Sequence, residues 1–306
     1  MQTLTGLHLK NSLMKTSKRF IAALLLPASL MYLVFFLIPT AQTMYYSLFD
    51  FSGLSENKSF VGLDNYTELL TDDLFLLSMK NTFIILLLGG VIVFGLAFMF
   101  TAMLNSDLRG KRFFRAIIFV PNVIATIALT TLWGYIYNPR FGLLNSSIKL
   151  FGFDGKTTWT DPNKIFWAML VALIWIFVGF YMVLLLAGTD KIPIDYYEAA
   201  KLDGANQVQM FVRITIPLLW DVITVAVVMW SIAALKIFEF PFAFTSLEPV
   251  PETYTTAVYL YVMGFGQRTP IYRMGYASAI GVYMLVVVVL LIIFLRRIMR
   301  RDAIQY

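Results

Sequence analysis

Six long apolar stretches fill most of this chain and leave little choice of fold. They cover residues 20–40, 82–104, 114–135, 165–186, 214–237 and 276–295. A helix rises about 1.5 Å per residue, so roughly 20 residues suffice to cross a hydrocarbon layer of about 30 Å. The pattern predicts an all-α, polytopic membrane protein with six transmembrane helices. Hydrophobic residues make up 59% of the chain and charged ones 14%, where a soluble domain has about half and a quarter. The first stretch follows Lys15, Lys18 and Arg19 as a secretory leader would. It is longer than a leader's apolar region, however, and carries bulky Tyr32, Phe35 and Phe36 in its second half, so it is read as a retained span.

Lys and Arg set the expected orientation. Lys10, Lys15, Lys18 and Arg19 precede the first span. Arg109, Lys111, Arg112 and Arg115 cluster in the second loop, and Arg296, Arg297, Arg300 and Arg301 follow the sixth span. Six spans put all three clusters on one side, the cytoplasm, with both termini. The acidic first loop (Asp50, Glu56, Asp64, Glu68, Asp72, Asp73) falls outside. Topology thus accounts for the net charge of +6, and no nucleic-acid partner is expected.

Several chemistries are excluded. With no cysteine there is no disulfide framework or thiolate metal site, and no metal site of any kind is expected. His8 is the only histidine, which leaves nothing for a Ser-His-Asp triad or a His-rich zinc site. Neither a GxxxxGK[ST] phosphate loop nor a GxSxG elbow occurs, so no catalytic residue is assigned and ATP hydrolysis must belong to another chain. An integral-membrane enzyme would need acid, base or metal ligands clustered near the spans, and these are few. A stand-alone channel or secondary transporter would show internal repeats, and none is seen.

One loop departs from the charge rule. Between the fourth and fifth spans, Asp190, Asp195, Glu198 and Asp203 outnumber Lys191, Lys201 and Arg213. Pro193 closes the fourth span and starts a new element. Asp195 and Glu198 stand at capping-box spacing, residues 196–203 read as two helical turns, and Gly204 is a left-handed stop. Residues 205–213 read as a second short helix, and Pro217 restarts the chain as span five. The result is a helix-turn-helix bracket on the cytoplasmic face. Its small residues Ala199, Ala200, Gly204 and Ala205 would let another surface approach closely. By chemistry alone Glu198 is either a helix cap or a charge offered to a partner.

Glu198-Ala199-Ala200, Gly204, Ile214 and Pro217 fit the pattern EAA-x3-G-x9-I-x-L-P, with Ile216 in the leucine position. The segment resembles the cytoplasmic signature of permease subunits of binding-protein-dependent ABC importers. Further stretches are similar to the carbohydrate-uptake type, the maltose, glycerol-phosphate and multiple-sugar permeases: FVGLDNYTELL (residues 60–70), RFFRAIIFVPNVIATIALTTLWGYIYNPRFGLLN (112–145) and LKIFEF (235–240). That family often follows the fifth span with a GGP turn, whereas this chain has Glu248-Pro249-Val250-Pro251. The resemblance implies a type I importer permease fold: a cytoplasmic tail (1–19), a permease domain (20–295) whose coupling loop is 190–217, and a C-terminal tail (296–306). It implies a second homologous permease completing a heterodimer, two ATPase subunits carrying ATP and Mg, and an extracytoplasmic solute-binding protein. The setting is the cytoplasmic membrane of a bacterium or archaeon. Coupling to the ATPase falls to Glu198, Ala199, Ala200, Asp203, Gly204 and Ala205, and no cofactor is expected in this chain.

In this family the solute is contacted mainly from the spans flanking the coupling loop. Trp175, Phe180 and Tyr181 in the fourth span and Trp230 in the fifth are candidates, because aromatic faces pack on the C–H faces of sugar rings. The same residues would serve equally as helix-packing groups. Lys236 and Glu239, three apart, are read as an ion pair at the outer end of span five or as path residues. Asn122 is either a path residue or a helix-to-helix hydrogen bond. The expected solute is a sugar or oligosaccharide. Glycerol phosphate ranks second, since Lys236 is the one obvious cation for a phosphate.

Overall fold

A computed structural model describes residues 18–55, 57–105, 109–266 and 271–300. His8, Lys10, Lys15, Glu56 and Arg301 lie outside the described residues. Among the described residues the regular structure is helical apart from one two-stranded hairpin, β1 (Phe49–Phe51) with β2 (Lys58–Phe60), paired antiparallel with Phe49 opposite Phe60. Among the described residues four helices are long and apolar enough to span unbroken: α1 (Phe20–Tyr46), α3 (Asp73–Asn105), α7 (Pro162–Thr189) and α13 (Met274–Ile298). Two further spans are bent pairs, α4 (Lys111–Val123) with α5 (Thr126–Ile136) at 104°, and α9 (Gln207–Leu218) with α10 (Trp220–Leu235) at 73°.

The sequence predicts the third and fifth spans as single helices, and the bends correct that. Pro121 sits in a 3-10 turn over Val120–Val123, after which Ile124 and Ala125 are extended (ψ 135 and 140). Proline removes a donor and displaces the preceding turn, and the chain turns where the backbone bonds run out. Pro217 acts likewise, with the break at Leu219. A ten-residue apolar helix, α12 (Thr256–Phe265), is an element that the sequence reading passed over.

Helix α7 is the structural axis. In its most apolar window 61% of residues are buried, against none for α1 and 11% for α13. It packs along α3, and the Asn122 amide pins the bent third span to it by donating to the Ile176 carbonyl at 2.6 Å. Asn122 therefore makes the helix-to-helix bond. At the end of the bundle away from the bracket, Asp72 caps α3 through the amides of Leu74 and Phe75. Its other oxygen accepts from the hydroxyls of Tyr259 on α12 and Tyr276 on α13, each at 2.5 Å. The neighbouring Arg273–Glu68 pair, 2.6 Å, adds a second tie between α13 and the short helix α2 (Asp64–Leu69).

Candidate functional site: the bracket and the interior wall

The bracket begins as α8 (Asp195–Leu202). Ile194 stands at its N-cap with helical φ/ψ and no side-chain cap bond, which places Asp195 and Glu198 inside the first turn. The predicted capping box at Asp195–Glu198 is thus not formed. The reciprocal box lies at the start of α9, where Asn206 and Gln209 exchange side-chain-to-backbone bonds of 2.9 Å. Glu198 is exposed and has no hydrogen bond or ion pair among the described residues. Of its two sequence readings, the cap is removed.

Gly204 behaves as expected. Its φ is +80, its amide bonds Lys201 O at 3.0 Å, and the Ala205 amide bonds Ala200 O at 2.9 Å. These two bonds close the left-handed helix stop and reverse the chain in three residues. No atom lies within 4 Å of a Cβ built on Gly204, so glycine is needed there for backbone conformation and not for space. Ala199 and Asp203 are exposed, while Ala200 and Ala205 are half-buried. The Tyr197 hydroxyl meets Thr215 Oγ1 at 2.9 Å, tying α8 to α9.

Three apolar side chains on this bracket escaped the sequence reading. Ile194, Leu202 and Val208 are 68%, 90% and 71% exposed. Apolar residues inside an otherwise polar loop were the available signal. With Glu198 and the other exposed charges of α8, they make the bracket a surface that mixes apolar side chains with charge. Behind it a cavity of about 830 Å³ opens between the bracket and the end of α3, lined by Phe98, Met103, Ile192, Glu198, Lys201 and Phe211. The Trp220 indole donates to Met299 O at 2.7 Å, which sets the end of α13, with Arg296 and Arg297, beside the start of α10.

The proposed solute wall divides in two. Trp230 is buried, 3% exposed, and its Nε1 donates to Leu86 O at 2.8 Å. Leu86 belongs to a π-type turn (Ile85–Gly89), whose widened backbone gives a carbonyl room for an outside donor. A Cβ on Gly90 would fall 2.5 Å from the same indole nitrogen, so the ring fills a notch cut by glycine. Phe177 and Tyr181 meet the Trp230 ring edge-on at 5.5 and 5.9 Å, and Phe180 meets Tyr181 at 5.1 Å. Trp230 and the buried Tyr181 are therefore packing residues in this conformation. Trp175 differs: it is 40% exposed and meets Trp133 edge-on at 5.6 Å.

Lys236 and Glu239 do not share a helical face. Helix α10 ends at Leu235, Lys236 has φ −105 and ψ 9, and Glu239 opens the next helix, α11 (Glu239–Phe244). Both are exposed, and the predicted ion pair is not formed. Glu239 Oε2 accepts instead from Thr126 Oγ1 at 3.3 Å, joining α11 to α5. After α11, Ser246 and Leu247 take left-handed φ of 60 and 66. Just ahead of the Glu248-Pro249 pair, two non-glycine residues thus make a turn for which glycine is better suited. Among the described residues no cluster of acidic or histidine side chains could hold a metal ion.

Residues 91–302 match the family described as binding-protein-dependent transport system inner membrane component. A probable ABC transporter permease protein of Bacillus subtilis, YurN, is 34% identical over 90% of this chain and 94% of its own length. The diacetylchitobiose uptake permease NgcF of Streptomyces coelicolor is 30% identical over 86% of this chain and 77% of its own. The trehalose/maltose transport permease MalF of Thermococcus litoralis is 33% identical over 74% and 77%. Among solved structures, a bacterial ABC transporter that imports the acidic polysaccharide alginate superposes with a TM-score of 0.78. It covers 93% of this chain and 96% of its own at 24% identity, which establishes the fold.

Proposed function

The chain belongs to the inner membrane components of binding-protein-dependent transport systems, and from that premise we propose that it forms one half of the path of a sugar or oligosaccharide importer. The coupling bracket carries the reading. Its helix stop is closed, its Glu198 is free, and its exposed Ile194, Leu202 and Val208 ask for a protein surface to cover them. A separate ATPase with a basic group opposite Glu198 would satisfy all four. Two such ATPase subunits, a second permease and an extracytoplasmic binding protein complete the assembly, with both termini of this chain in the cytoplasm. The carbohydrate class rests on the relatives' solutes, diacetylchitobiose and trehalose/maltose among them.

The mechanism is alternating access. Closure of the ATPase dimer on ATP draws the docked brackets together. Tyr197–Thr215 and the bend at Leu219 hand that movement to α10, which packs against α7 and against the π-type turn of α3. Nucleotide biases this two-state element at one end and loaded binding protein at the other. Reconstitution tests the proposal. The chain alone in liposomes should neither hydrolyse ATP nor take up solute, and the complete set should show sugar-stimulated ATP hydrolysis. ATP-driven uptake by the chain without partners would overturn it.

A further inference from the structure

Among the described residues only two buried side-chain polar atoms lack a hydrogen-bond partner, Trp133 Nε1 and Thr245 Oγ1. They belong to one aromatic wall. Trp133 on α5 lies 5.0 Å from Tyr137, and Tyr137 meets Phe244, the residue before Thr245, at 6.3 Å. Native interiors pair nearly every such atom, because an unpaired buried donor costs about 1–3 kcal/mol. Tyr137 shows that the wall can pair its polar atoms, since its hydroxyl donates to Ala168 O at 2.9 Å. The chain segment beside Thr245 is also strained, with left-handed φ at Ser246 and Leu247. Unpaired polar atoms and backbone strain gathered in one place mark a site whose partner comes and goes.

We propose that Trp133 and Thr245 form a solute subsite for a polyhydroxylated ring, with Trp175 as its movable cover. A sugar hydroxyl oxygen would accept from Trp133 Nε1, and a hydroxyl proton would go to Thr245 Oγ1. The Trp133 and Tyr137 faces supply the apolar floor. Among the described ring contacts and hydrogen bonds Trp175 has only its edge contact with Trp133, so this half-exposed ring is the neighbour free to swing. The subsite deepens the sugar-importer reading and rests on it. It adds α5 and α11 to a wall otherwise drawn from the spans that flank the bracket.

The test uses the complete importer in proteoliposomes with radiolabelled maltose, cellobiose and chitobiose. Trp133→Phe keeps the ring and deletes the N–H. It should raise the half-saturating concentration about tenfold, the worth of one hydrogen bond, with the maximal rate little changed. Thr245→Val should act in the same direction. Because the N–H is unpaired at rest, Trp133→Phe should leave Tm unchanged or raise it. Trp159→Phe is the contrast: its indole donates to Asn145 Oδ1 at 2.9 Å, so it should lower Tm and leave the half-saturating concentration alone. A lower Tm with unaltered uptake in Trp133→Phe would assign the N–H to a permanently bound water and overturn the subsite. Uptake of none of the three sugars by the unaltered importer would remove the sugar reading itself.

Discussion

Replacing Gly204 separates the bracket's shape from its contacts. An alanine there meets nothing within 4 Å, so the substitution carries no packing cost inside the chain. What it carries is the left-handed φ of +80, worth about 1–2 kcal/mol for a residue with a Cβ and more for one branched at Cβ. That strain can be relieved only by opening the two bonds of the stop, Gly204 N to Lys201 O and Ala205 N to Ala200 O. The ratio of closed to opened bracket then falls roughly 5- to 30-fold, and apparent affinity for the ATPase subunits should fall by up to that factor. Gly204→Asn should recover most of the loss, because asparagine tolerates the left-handed region, and Gly204→Val should be worst. Retention of ATPase on the affinity-purified permease pair, with sugar transported per ATP hydrolysed, measures the effect. If the Asn and Val variants behave alike, backbone conformation at this glycine is not what the coupling uses.

Three further outcomes follow from other parts of the structure. Trp230→Ala should cost about 3–5 kcal/mol and reduce assembled protein, seen as a lower Tm and yield, because it empties a notch and strands Leu86 O; a loss confined to the half-saturating sugar concentration would return Trp230 to the solute wall. Burial of Asp72 pushes its pKa up, but hydrogen bonds from Tyr259, Tyr276 and the Phe75 and Leu74 amides outweigh it and hold the carboxyl below 3.8. A depressed folded pKa contributes stability above the unfolded value and loses it as pH falls through the folded one. Hydrogen exchange at the start of α3 and in α12 should therefore rise only below about pH 3.8, and Asp72→Asn should abolish that dependence. Leu247→Gly should stabilise the turn after α11 by about 1 kcal/mol, readable as a higher Tm, because it relieves a φ of +66 on an exposed side chain; a lower Tm would mean that Leu247 is held by contacts and not by the turn.

The spans and the bracket were legible in the sequence because their signals are local. A run of 20 apolar residues, a proline after a span and a glycine stop each act within one or two turns. The Gly204 reversal came out as expected for that reason. The misreadings lie where a helix begins or ends at a residue other than the one the spacing suggests. Asp195 and Glu198 have the spacing of a capping box, but Pro193 starts the helix one residue early and moves both acids into its first turn. Lys236 and Glu239 have the spacing of a helical pair, but helix α10 ends at Leu235 and separates them. Periodicity does not report a helix end made by distant packing, here Thr255 Oγ1 donating to Ile237 O at 2.7 Å from the start of α12.

The division of the aromatic residues makes the same point about function. Trp175 and Trp230 are equivalent in sequence terms: one tryptophan near the middle of each span beside the bracket. Pairing of the indole nitrogen distinguishes them. Trp230 Nε1 is bonded to a backbone carbonyl that a π-type turn opens for it, which fixes the ring and uses up its one donor. Trp175 has no such tie among the described residues, and its nearest ring is Trp133, whose own donor is unpaired. A helix junction needs rings with satisfied donors, whereas a transport path needs groups whose bonding changes between states. By that criterion the moving side of this half-path runs along α5 and α11 with Trp175. The tightly packed α3, α7 and α10 form the body to which the bracket passes its movement, with Trp175 the side chain of α7 left to change partners.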